Sequence, residues 1–145
     1  MIVYFDSSML VKLYVDEDQS EGVAALWSQS SEGACSVIGF AEVLSALYRR
    51  MRDGTVSAEQ FDLVARRFRE DWSSLTHVAV SEEVNVFVAH LLATCPLRAM
   101  DAIQLASALA LREQTGREVR FACADLRLTT AARKEGLGVF PESTP

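Results

Sequence analysis

Four acidic residues stand where short apolar runs give way to helical patterns. Asp6 follows the apolar run Met1–Phe5, Asp125 follows Glu118–Cys123, and Asp101 opens an Ala- and Leu-rich stretch after the turn at Pro96–Met100. Glu42 lies in the apolar setting Ile38-Gly39-Phe40-Ala41-Glu42-Val43-Leu44. Its helical neighbours three and four residues away, Gly39, Ile38, Ser45 and Ala46, include no cation. Acidic side chains are rarely buried uncompensated, so Glu42 needs a partner from elsewhere in the chain. Asp6, Asp101 and Asp125 each have a second reading as helix N-caps, a position Asp favours, and Asp101 with Gln104 has the spacing of a capping box. If the four converge, each pair of carboxylates about 4 Å apart repels by roughly 4 kcal/mol at an effective dielectric near 20. That is large beside a whole-protein stability of about 5–15 kcal/mol. Such a cluster persists when a divalent cation occupies it or when some members hold a proton. Oxygen ligands without His or Cys select Mg2+ or Mn2+ over zinc. The matching chemistry is phosphodiester hydrolysis, in which the ion lowers the pKa of a water and stabilises the leaving oxygen. Ser7 and Ser8 have no histidine base nearby in sequence, so neither reads as a nucleophile.

The elements that must position these residues alternate in kind. Strands are expected at Met1–Phe5, Ala34–Val37, Leu75–Val80, Glu118–Cys123 and Leu137–Phe140. Between them run helical patterns: one after Asp6-Ser7-Ser8, a second around Val23, Leu26 and Trp27, a third from Gly39 to Met51, and a fourth from Ser57 to Trp72. Three more follow, from Ser81 to Thr94, from Asp101 to Gln114 with Gly116 as its stop, and from Leu126 to Glu135. Ser57 with Gln60 fits a capping box. Strands separated by helices imply an α/β fold, a parallel sheet with helices on both faces, and nothing marks a linker or repeat within residues 1–145. In such sheets ligands bind outside the carboxyl ends of the strands, where the four acids fall.

Bulk properties narrow the class. The chain has 145 residues, half of them hydrophobic, enough for one domain with a real core. No apolar run approaches the roughly 20 residues of a membrane span, and the pattern at the N-terminus is not that of a signal peptide, so a cytoplasmic protein is expected. Cys35, Cys95 and Cys123 are too scattered for a zinc site and read as free thiols. His77 and His90 lack partner spacing. A net charge of −6 speaks against nucleic-acid binding through a bulk positive field but leaves a local basic strip open. Arg49, Arg50 and Arg52 extend the Glu42 helix and are candidates to guide a phosphate backbone. Arg98 and Arg127, neighbours of the acidic motifs, are further RNA-contact candidates. Arg66, Arg67 and Arg69 fit a solvated helix face. Trp27, Tyr48, Phe68 and Trp72 fit a core.

The motifs together resemble the PIN-domain family. Tyr4-Phe5-Asp6-Ser7-Ser8-Met9-Leu10-Val11-Lys12-Leu13 is similar to the family's opening, in which an Asp ends the first strand before Thr or Ser. Phe40-Ala41-Glu42-Val43-Leu44-Ser45-Ala46-Leu47 is similar to its second motif. Leu97-Arg98-Ala99-Met100-Asp101-Ala102-Ile103-Gln104-Leu105-Ala106-Ser107-Ala108 is similar to the third and is the most distinctive stretch. Phe121-Ala122-Cys123-Ala124-Asp125-Leu126-Arg127-Leu128 resembles the fourth, at the family's usual spacing. The resemblance spans nearly the whole chain. It implies a five-stranded parallel sheet in the order 3-2-1-4-5 and a Mg2+ or Mn2+ site made by Asp6, Glu42, Asp101 and Asp125. Length and the compact helical insert resemble VapC-type toxins most. The implied activity is therefore an endoribonuclease of a toxin–antitoxin pair, held inactive by a cognate antitoxin and usually homodimeric. The family commonly places Thr or Ser two residues before the last Asp. Cys123 stands there instead, a poor hydrogen-bond partner, and Ser7 is the nearby hydroxyl expected to support the cluster. Two other readings stay open: a PIN fold that serves only as a protein-binding module, and an Asp/Mg2+ phosphohydrolase. The latter fits less well because Lys134, the only lysine besides Lys12, falls within a helical pattern.

Overall fold

All four residues of the first strand, β1 (Ile2–Phe5), are buried, which explains why this run carries no polar–apolar alternation. The computed structural model describes residues 1–142. After β1 come α1 (Ser7–Val11), α2 (Ser20–Gln29), β2 (Glu32–Ser36), α3 (Gly39–Arg52), α4 (Ala58–Ser74) and β3 (Thr76–Val78). They are followed by α5 (Glu82–Thr94), α6 (Ala99–Thr115), β4 (Val119–Ala122), α7 (Leu126–Lys134) and β5 (Gly138–Phe140). The strands form one sheet in the order β3-β2-β1-β4-β5, every pair parallel, as the resemblance implied.

The two faces of β1 feed two cores. Ile2 and Tyr4 pack with Val84 and Leu91 of α5, Leu105 and Leu109 of α6, and Leu128 of α7. Val3 and Phe5 pack on the other face with Met9 and Leu10 of α1, Val23 and Leu26 of α2, Val43 and Leu47 of α3, and Phe61 and Phe68 of α4. Helices thus cover both faces of the sheet. Among the described residues no helix is long and apolar enough to cross a membrane. The cysteines are free, Cys35 and Cys123 buried and Cys95 partly so.

Two local expectations are corrected and one is met. The capping box of Ser57 and Gln60 forms in full at the start of α4. β2 begins at Glu32 rather than Ala34, because Glu32 and Gly33 pair with Ile2 and Val3. α6 begins at Ala99, so Asp101 is not its N-cap. That position belongs to Arg98, in extended conformation and without a side-chain cap bond. Gln104 therefore closes no capping box, and its amide is used elsewhere.

Candidate active site

Because every strand is parallel, the carboxyl ends of β1, β2 and β4 open onto one edge of the sheet. Asp6 leaves β1 there, and its backbone N–H donates to the Ala122 carbonyl at the end of β4 (2.9 Å). Its side chain starts α1: Oδ2 accepts from the Ser8 N–H (3.2 Å) and the Ser8 hydroxyl (2.6 Å). The Cys123 thiol also points to Oδ2, at 3.6 Å. So Cys123 does reach the acidic group from the position the family gives to Thr or Ser, as a weak donor. Asp6 is only 8% exposed. Burial pushes its carboxyl from 3.8 up to about 6; the Ser8 donors pull against that rise and the Glu42 charge adds to it.

Glu42, in the first turn of α3, is half-buried. The partner it lacked locally comes from two other elements. Oε1 accepts from the Ser7 hydroxyl (2.8 Å) and from Nε2 of Gln104 on α6 (2.7 Å). That same Nε2 lies 3.0 Å from the Ser7 hydroxyl oxygen, and Gln104 Oε1 accepts from the Tyr4 hydroxyl (2.6 Å). Tyr4 and Gln104, at 0% and 2% exposure, belong to this arrangement although the sequence marked neither as a site residue and offered Gln104 only as a capping partner. The available signal was one amide in the apolar stripe of an Ala- and Leu-rich helix.

Glu42, Asp101 and Asp125 line a cleft of about 460 Å³, which Arg98 and Arg127 also line. Asp125 is a helix cap as well: Oδ1 accepts from the N–H groups of Arg127 (2.8 Å) and Leu128 (3.4 Å). The acids share a pattern. Asp6, Glu42 and Asp125 each engage one oxygen with protein donors and leave the other without a partner among the described residues. Asp101 sits in the first turn of α6 and, among the described residues, engages neither of its oxygens. An all-oxygen set with unengaged atoms fits a hard divalent cation. No three acidic, His or Cys side chains among the described residues form a group that could hold one as they stand. Arg98 and Arg127 form no ion pair among the described residues, whereas Arg50 is bound to Glu17. Arg49 is exposed on α3 and does not line the cleft. His77 bonds the Trp72 carbonyl and His90 the Glu135 carboxylate, both apart from the acids.

A PIN domain match covers residues 3–116, a span that includes Asp6, Glu42 and Asp101 and ends before Asp125. Ribonuclease VapC45 of Mycobacterium tuberculosis (strain CDC 1551 / Oshkosh) is 33% identical over 140 residues, 97% of this chain and 95% of that protein. FitAcB from Neisseria gonorrhoeae has the same fold, with a TM-score of 0.68 at 16% identity over 98% of each chain. A toxin–antitoxin complex from Klebsiella pneumoniae also shares it, with a TM-score of 0.61 at 17% identity over 99% of each chain. The chain belongs to the PIN domain family, in the branch of the VapC proteins.

Proposed function

We propose that the chain is a divalent-metal-dependent endoribonuclease and the toxin of a toxin–antitoxin pair. The observation that carries this reading is the cleft itself, in which three carboxylates and two arginines meet, the acids with unengaged oxygens and the arginines without an ion pair among the described residues. Asp6, Glu42, Asp101 and Asp125 would hold Mg2+ or Mn2+. When bound, the ion supplies a water of lowered pKa and charge stabilisation for the leaving oxygen of a phosphodiester. The chain's own residues do the rest. Arg98 and Arg127 draw phosphates of the RNA backbone to the cleft, countering the −6 net charge of the whole. Ser7 holds one oxygen of Glu42, and the N-cap bonds of Asp125 hold its carboxylate at the start of α7. The similarity to a VapC ribonuclease supports the substrate class, and the fold shared with a toxin–antitoxin complex supports an antitoxin partner. The alternative, a PIN fold acting only as a protein-binding module, has the presence of all four acids against it.

The purified chain, freed of any partner, is to be incubated with structured and unstructured RNA in Mg2+, Mn2+ or EDTA beside Asp101→Asn. Cleavage that needs metal and disappears in the variant is expected. No cleavage, together with no metal-induced rise in melting temperature, would transfer the assignment to the binding module.

A further inference from the structure

We propose that Gln104 is the positioning residue of Glu42: with Ser7 it occupies Oε1, so that Oε2 is the oxygen offered to a cation, and Tyr4 holds the far end of its amide. The proposal rests on the metal-dependent reading above. A primary amide buried in an apolar helix face costs free energy unless its groups are bonded, and here both ends are. Nε2 reaches Glu42 Oε1 (2.7 Å) and the Ser7 hydroxyl (3.0 Å), while Oε1 takes the Tyr4 proton (2.6 Å). The two ends of an amide are nearly identical in shape, so direction is decided by partners alone. Reversal would set an amide oxygen against a carboxylate oxygen at Glu42. The chain of bonds joins β1, α6 and α3, and so links the core containing Tyr4 to the helix that packs on the other face of the sheet. An amide serving only its own core has no reason to end on a half-buried acid of the opposite layer.

Groups that orient metal ligands typically contribute about 10–100-fold to metal affinity. Mn2+ is therefore titrated into the metal-free full chain by calorimetry, with wild type, Gln104→Met, Tyr4→Phe and Glu42→Gln compared. The Mn2+ concentration for half-maximal RNA cleavage is measured in parallel. In Gln104→Met the affinity and the half-maximal concentration are expected to worsen together by about 10–100-fold, with KM for RNA unchanged and the rate recovered at saturating ion. Tyr4→Phe, which keeps the ring stacked on Phe121, is expected to shift both in the same direction by less. Wild-type ion affinity in a folded Gln104→Met would overturn the proposal, whatever its melting temperature. If that variant does not fold, unchanged affinity in Tyr4→Phe overturns it. Wild-type chain that binds no Mn2+ and behaves as Glu42→Gln does would instead sink the metal-dependent reading, and this proposal with it.

Discussion

Among the four acids, Asp6 is buried and bears the cost of it. Its carboxyl titrates at about 6 rather than 3.8, so the folded chain holds the proton more tightly than the unfolded chain. The contribution of Asp6 to the stability of the metal-free protein therefore falls as pH rises from about 4 to about 6 and stays lower above it. From 3.8 to about 6, at about 1.4 kcal/mol per tenfold change in proton affinity, the loss is on the order of 3 kcal/mol. Asp6→Asn keeps an oxygen for the Ser8 donors and removes the charge. In EDTA at pH 7 it is expected to melt several degrees above wild type, and near pH 4 the two are expected to coincide; thermal melts across that range check both. Asp6, Glu42, Asp101 and Asp125 could be singled out as candidates because the signs are local: an acid after an apolar run or at the start of a helical pattern, or an acid with no nearby cation. Tyr4 and Gln104 could not, because each acquires its role from a partner 100 positions away in sequence, where neither spacing nor periodicity reaches.

At the scale of elements, the same local logic both succeeded and misled. Ser57 and Gln60 form the capping box their spacing announced, since both partners lie within one turn. Asp101 and Gln104 have that spacing too, yet α6 starts two residues earlier and the amide is claimed by tertiary partners. Local pattern names the competitors for a hydrogen bond and packing chooses between them. Asp125 combines both roles, a cap for α7 with one oxygen and a lining group of the cleft, and substitution separates them. Asp125→Ala is expected to lose about 0.5–2 kcal/mol of stability with the cap. Asp125→Asn retains an accepting oxygen and should melt as wild type. Both are expected to lose most RNA cleavage, so equal activity in Asp125→Asn and wild type would remove Asp125 from the site.

Over the whole molecule, the parallel sheet with helices on both faces was legible from the alternation of elements and the strand order only through the family resemblance of the motifs, while the sorting of side chains between two cores was not. β1 shows why: a fully buried strand has no alternation to mark which residue faces which layer. Charge is a whole-molecule property as well. With a net charge of −6, attraction to RNA has to come from local cations that no carboxylate neutralises. Arg98→Gln and Arg127→Gln, each placed in an Asp101→Asn background, are expected to weaken RNA binding. Each should also flatten the dependence of log affinity on log salt by roughly 0.7 for a single strand. Arg50→Gln is expected to change that slope little, because its guanidinium already serves Glu17. Fluorescence titrations at several salt concentrations distinguish the three.

The bond from Gln104 to Glu42 crosses from one helical layer to the other at the rim of the sheet. The cleft draws its lining from both layers, Glu42 from α3 on one face of the sheet and Asp101, Asp125 and Arg127 from α6 and the start of α7 on the other. A change in how either layer packs on the sheet would therefore reach the acids of the cleft.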